Sequence, residues 1–181
     1  MSSHSPIDAA VARQAIDAKT KPLGALGRLE DIAVRLAVLQ GTLEPAIPSA
    51  RVCVFAADHG VADEGVSAYP RAVTAEMMKN FGRGGAAINV IAAVNAVDVE
   101  VMDVGVDADL SALAGIRHEK VRRGSGNLAV EAAMTAEELS AALEVGASAA
   151  RRAAAVGVRA LGLGEMGIGI QPPHRRCSAR S

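Results

Sequence analysis

Two stretches of this chain concentrate the side chains that do chemistry, and each follows an apolar run. The first is Asp58-His59-Gly60-Val61-Ala62-Asp63-Glu64, with three carboxylates and an imidazole, directly after Val52-Cys53-Val54-Phe55-Ala56-Ala57. Carboxylate and imidazole together suit several divalent ions. The same residues suit a capped loop in which Asp58 and His59 hydrogen-bond the backbone while Asp63 and Glu64 face water. Spacing alone leaves both readings open, and no register puts several ligands on one face. The second stretch is Gly162-Leu163-Gly164-Glu165-Met166-Gly167-Ile168-Gly169, which satisfies G-x-G-x-x-G after a strand. A dinucleotide fingerprint of that form must open a helix whose N-terminus meets the pyrophosphate, with an acidic residue about 20 positions on. Pro172-Pro173 blocks such a helix, so a dinucleotide-dependent oxidoreductase rests on the glycines alone. A Gly-rich anion loop stays open, since successive unhindered N–H groups cradle phosphate. Glu165 within it suits a ribose hydroxyl or a cationic ring better than a phosphate, which it repels.

Three weaker features accompany these. Gly82-Arg83-Gly84-Gly85-Ala86-Ala87-Ile88-Asn89 opens a helix, either for close packing or to face a substrate. Gly124-Ser125-Gly126-Asn127 reads as an ordinary turn, with a phosphate contact as the other option. Lys21 and Arg28 flank a Gly-rich loop, solvated or poised for an anion.

The scaffold that must hold these residues is legible from periodicity. A short helix over 7–18 is opened by Pro6, and Thr20 to Gly27 breaks it. A second helix carries Leu26, Leu29, Ile32, Ala33, Leu36 and Leu39 on one face, and ends at Gly41, Pro45 and Pro48. Residues 51–57 form a strand buried on both faces. Helical patterns over 72–80 and 84–95 lead to a strand at 99–104, and 116–122 offers a third. A long helix over 135–155 is opened by a Thr135/Glu138 capping box. Residues 158–163 read as another buried strand. Strands alternating with helices predict an α/β fold with a mostly parallel sheet.

Composition excludes several classes. The 181 residues are 50% hydrophobic and carry 19 basic against 20 acidic side chains, which argues against disorder and against nucleic-acid binding through bulk charge. Two Phe, one Tyr and no Trp leave no stacking platform for single strands. The N-terminus lacks the basic and apolar regions of a signal peptide, no stretch is long enough for a membrane span, and two cysteines give no disulfide framework. The expectation is a cytoplasmic protein with no nucleic acid or membrane partner, no metal and no cofactor.

Six ordered motifs carry a resemblance. Lys21-Pro22-Leu23-Gly24-Ala25-Leu26-Gly27-Arg28-Leu29-Glu30 resembles the opening signature of the nicotinate-nucleotide–dimethylbenzimidazole phosphoribosyltransferase family. Ala57-Asp58-His59-Gly60-Val61 with Glu64-Gly65-Val66, then Ser67-Ala68-Tyr69-Pro70 with Val73-Thr74, follow in the family's order. So do Gly84 to Val90, Asp103-Val104-Gly105-Val106-Asp107, and Gly164 to Gly169. The resemblance implies phosphoribosyl transfer from nicotinate mononucleotide to 5,6-dimethylbenzimidazole, giving α-ribazole 5′-phosphate and nicotinate, a step in making the lower ligand of cobalamin. It implies that Gly164, Glu165, Met166 and Gly167 lie at the nucleotide site and that Tyr69 and Met77 line the base pocket. Asp58 and His59 join the substrate-binding candidates. The fold it implies is a Rossmann-like three-layer α/β/α domain over 49–169, incomplete at its C-terminal side, with a small helical accessory segment over 1–48. For full-length members the resemblance implies a homodimer.

One departure stands out. After Gly169 the family continues Asn-Thr-Thr-Pro-Ala, whereas this chain reads Ile-Gln-Pro-Pro-His-Arg. Codons for the family residues read one base out of frame can give the observed ones, so residues 170–181 are read as a frameshifted basic tail. The family's general-base Glu and a phosphate-binding Lys fall in the half this chain lacks. The expectation is a fragment inactive by itself, with an uncovered sheet edge that promotes aggregation; the alternative is a non-catalytic nucleotide-binding or assembly module.

Overall fold

A computed structural model describes residues 7–170, so the tail reading of 171–181 and the Pro6 helix start lie outside the described residues. The chain divides into two compact units between Ile47 and Pro48. In the first, helix α1 (Ala9–Asp17) is opened by Asp8, whose side chain accepts from the Val11 amide at 2.8 Å. Helix α2 (Arg28–Gln40) stops at Gly41 in a left-handed conformation. The expected apolar face of α2 is not its buried one. Glu30, Val34 and Ala37 are buried, while Leu26, Leu29, Ile32 and Leu39 are exposed. Val34 and Ala37 close on Ala12, Ile7 and Ile16, because small side chains let two helices approach. Glu30 tolerates burial since Lys21 pairs with it at 2.9 Å and the Leu26 amide donates to it at 3.1 Å. Lys21 is thereby committed to the fold.

The second unit is an α/β layer structure. Strands β1 (Ala50–Ala57), β2 (Asp98–Gly105), β3 (Arg117–His118) and β4 (Ala160–Met166) lie in the order β3-β2-β1-β4, every pair parallel. Helices α3 (Ala72–Gly82) and α4 (Ala87–Val94) connect β1 to β2, and α5 (Ala136–Ala155) precedes β4. The pleat sorts the core. Val52, Val54, Ala56, Val99 and Val101 join Met78, Phe81 and Ala86 on one face. Cys53, Phe55, Met102 and Val104 pack with Ala149 of α5 on the other. The α/β class with a parallel sheet is as expected, and so is the Thr135/Glu138 capping box.

Three features differ from expectation. The third strand is only two residues, although amides of Glu119, Val121 and Gly124 still donate to carbonyls of Asp103, Val104 and Gly105. Strand β4 runs on to Met166, so Gly164, Glu165 and Met166, expected in a loop after a strand over 158–163, are strand residues. It is also largely exposed, because it is the sheet's outer strand among the described residues and only β1 flanks it. Among those residues no helix is long and apolar enough to cross a membrane.

Candidate functional site

The carboxyl ends of β1, β2 and β4 meet around Asp58. Its amide donates to the Gly105 carbonyl at 3.0 Å, and its own carbonyl accepts from the Ser125 amide at 2.9 Å. Its side chain is buried, with Oδ2 accepting from the Asp107 amide at 2.8 Å. Oδ1 is equally buried and has no hydrogen-bond partner. A buried carboxylate oxygen left unpaired is costly, so it marks a place where an additional donor is favourable.

His59 follows on the same loop and pairs with Ser125 as a parallel bridge. Its Nε2 is buried and also lacks a partner. Burial lowers its pKa below the ordinary value, Asp58 and Glu165 pull it up, and Arg71 pushes it down. The ring is therefore held toward its neutral form, able to donate or accept one hydrogen bond. Gly167 sits against it. A Cβ there would collide with the Ala57 carbonyl oxygen and lie 3.0 Å from His59 Nε2. The turn after β4 continues tightly, with the Ile168 amide donating to Thr74 Oγ1 at 3.2 Å. Gly169 takes φ +86 against Ala62, a backbone region that favours glycine. The Gly-rich segment is thus a strand end and a pinned turn. At least one amide of the anticipated anion loop is already used.

Beside β4, on the α3/α4 face, lies a cavity of about 510 Å3 whose walls include Val54, Met77, Phe81, Ile88, Gly164 and Glu165. A Cβ on Gly162 or Gly164 would press on Val52 and Val54 at 3.2 and 3.4 Å. Glycine at both positions leaves those valines their space. Sequence candidates Met77, Gly164 and Glu165 therefore share one cavity, and Met166 packs into the adjoining core. Gly167, Asp58 and His59 cluster at the strand ends. Tyr69 is 67% exposed and is not among the cavity walls.

Other expectations change. Among the described residues no group of three or more His, Cys, Asp or Glu is placed to hold a metal, so the metal reading of Asp58 to Glu64 finds no ligand set. Asp63 faces Arg71 at 3.4 Å and Glu64 accepts from Asn127 at 2.8 Å. The Gly82–Asn89 cluster ends in α4, which starts at Ala87, and Gly85 leaves room for the Asn80 side chain. Sequence reasoning undervalued the Gly124–Asn127 turn, which forms the floor of the site. Ser125 brackets Asp58 and Gly60 through backbone bonds, and a Cβ on Gly60 would strike the Asn127 amide at 2.6 Å. Two glycines so close to an Asn were the available signal. Arg71 was missed as well. It bridges Asp63 and Asp107 at 3.4 and 3.5 Å over this floor. A further cavity of about 540 Å3 opens at the amino ends of β1 and β2. Its Arg51, Arg117 and Arg152 pair with Glu100 and also with Asp98 or Glu119, so three carboxylates balance the three guanidinium groups.

Relatives of known description share this chain's sequence and fold. A family model described as "Phosphoribosyltransferase" matches residues 4–173. The nicotinate-nucleotide–dimethylbenzimidazole phosphoribosyltransferase of Chromobacterium violaceum is 55% identical over 93% of this chain and 50% of its own length. That of Geotalea uraniireducens is 50% identical over 93% of this chain and 49% of its own. The crystal structure of the enzyme so named from Thermus thermophilus superposes with TM-score 0.83 at 52% identity, covering 89% of this chain and 49% of that one. The chain thus spans about half the length of the curated relatives it matches. The match over residues 4–173, with the shared parallel fold, settles the kinship: this chain belongs to the phosphoribosyltransferase family.

Proposed function

We propose that this chain provides the nucleotide-facing half of an enzyme that moves the phosphoribosyl group of nicotinate mononucleotide to 5,6-dimethylbenzimidazole. The observation that carries the reading is the joining of Met77, Gly164 and Glu165 in one cavity, in a chain half identical to relatives named for that reaction. A nitrogen of the benzimidazole attacks the anomeric carbon, the bond to nicotinate breaks, and the second ring nitrogen loses its proton. Nicotinate and α-ribazole 5′-phosphate result. The largely apolar cavity suits a flat aromatic base. Glu165 borders the cavity at the end of β4, in register with Phe55 and so on the α5 face of the strand; from the strand end its charge favours the cationic pyridinium ring and the developing oxocarbenium. Asp58 Oδ1 and His59 Nε2 lie buried and unpartnered at the adjoining strand ends, outside the cavity walls; a local shift that exposes them would let them take the ribose hydroxyls as acceptor and donor. The general base belongs, by the resemblance, to the half of the relatives this chain does not span. A reducing cytoplasm fits the free, buried Cys53.

Titration of the purified chain with nicotinate mononucleotide, followed by assay for nicotinate release, tests this. Binding that weakens in Glu165→Gln, with little turnover, is expected. No binding at millimolar nucleotide refutes the reading, and turnover matching a full-length relative refutes the assignment of the base.

A further inference from the structure

The loop after β2 is held from behind by a lysine that the proposed chemistry does not use. Lys120 lies just beyond β3, where the Glu119 and Val121 amides bond back to β2. Its Nζ faces three oxygens at once: the Val106 carbonyl at 2.5 Å, the Ala108 carbonyl at 2.8 Å and Asp103 Oδ2 at 3.0 Å. Asp103 is 1% exposed, and its Oδ1 accepts from the Val106 amide at 2.9 Å. An ion pair taken out of water contributes little net stability, because desolvation offsets the attraction. Val106 and Leu110 already anchor the loop in the core. What the ion pair adds is direction.

One peptide unit carries that direction into the site. The Val106 carbonyl and the Asp107 amide are opposite ends of the same planar trans peptide. Lys120 donates to the first, and the second donates to Asp58 Oδ2 at 2.8 Å. Ammonium, peptide dipole and carboxylate thus stand in series, an arrangement in which each hydrogen bond polarises the next. The peptide cannot rotate without losing both bonds. Asp58 Oδ2 is committed by this contact, and Oδ1 is the oxygen left without a partner.

We propose that Lys120 is a positioning residue for Asp58. Held by Asp103 and acting through the Val106–Asp107 peptide, it fixes Oδ2 and reserves Oδ1 as the acceptor for a ribose hydroxyl. The ribose contact rests on the nucleotide reading above; the hold on Oδ2 does not.

Lys120→Met alone leaves the Asp103 carboxylate buried and unpaired, which can unfold the chain. The test therefore combines it with Asp103→Asn, which removes both charges together and keeps an acceptor for the Val106 amide. Melting of this double variant should stay near that of the parent. Hydrogen exchange read by nuclear magnetic resonance on the 181-residue chain should quicken about tenfold or more at the Asp107 amide. The Gly124 and Ser125 amides, bonded to the Gly105 and Asp58 carbonyls, should stay as protected as in the parent; a merely structural role would loosen all three. Nicotinate mononucleotide should bind the double variant about tenfold more weakly, with no added loss in an Asp58→Asn background. Three results overturn the proposal: unchanged exchange at Asp107, protection lost equally at Gly124 and Ser125, or an affinity loss as large with Asp58→Asn as without it. A parent chain that binds no nucleotide refutes the ribose contact together with the nucleotide reading, and the exchange at Asp107 still decides the hold on Oδ2.

Discussion

Replacing glycine by alanine at two positions of the second unit should change stability in opposite directions. At Gly167 the added methyl meets the Ala57 carbonyl oxygen and lies 3.0 and 3.1 Å from two atoms of the His59 ring. The carbonyl belongs to the central strand and cannot swing aside cheaply. Forcing a methyl into such packing costs about 1–3 kcal/mol. With a backbone oxygen as the obstacle the cost falls in the upper part of that range, about 2–3 kcal/mol; loss of unfolded-state freedom offsets about 0.4–1 kcal/mol, leaving a net destabilisation of about 1–2.6 kcal/mol. At about 2–4 °C per kcal/mol for a chain of this size, the melting temperature should fall by about 2–10 °C. At Gly146, inside α5, a Cβ meets nothing within 4 Å. There the same substitution should stabilise by up to about 1 kcal/mol through helix propensity alone. Thermal melts by circular dichroism and urea titrations of both variants measure the two signs. Gly167→Ala as stable as the parent would refute the close approach of the β4 turn to β1.

Further outcomes follow from caps and titration. Thr135→Ala removes the acceptor of the Glu138 amide at 3.2 Å and should cost about 1 kcal/mol, measured by urea denaturation. The Glu138 carboxyl is held below its ordinary value of 4.5 by the Thr135 amide and by Arg122. Its contribution is therefore present above 4.5 and is lost as the pH falls through the lowered value; Glu138→Gln should flatten the acid limb of the stability profile. His59 is depressed below 6.5, chiefly by burial. As pH falls under 6.5 the unfolded chain gains a proton there before the folded one does, so stability should decline across that window, and His59→Gln should remove the decline.

Much of the fold was legible because local signals agreed with it. The apolar run before Asp58 is central β1, and the Thr135/Glu138 box opens α5 where the spacing placed it. The misreadings share a cause. Leu29, Ile32 and Leu39 have the spacing of a buried face, yet α2 buries Glu30, Val34 and Ala37, since small residues and an ion pair allow the closer approach to α1. Gly164 looks like a loop residue but lies in a strand, where a Cβ would crowd Val54. In the site, Asp58, His59, Glu165 and Gly167 stood out by residue type, whereas Arg71 and Ser125 did not. An arginine after a proline and a serine between glycines have many local uses.

Family, fold class, the parallel sheet and the chemistry-bearing residues were all readable from the order of residue types, because turn, cap and strand preferences act over a few neighbours. Only tertiary structure decided which side chains share a cavity, that Lys21 is taken by Glu30, and that β4 is exposed while β1 is enclosed. Those outcomes depend on which surfaces approach one another across many residues of chain. Residues 57, 59 and 167 become neighbours only because β4 pairs with β1.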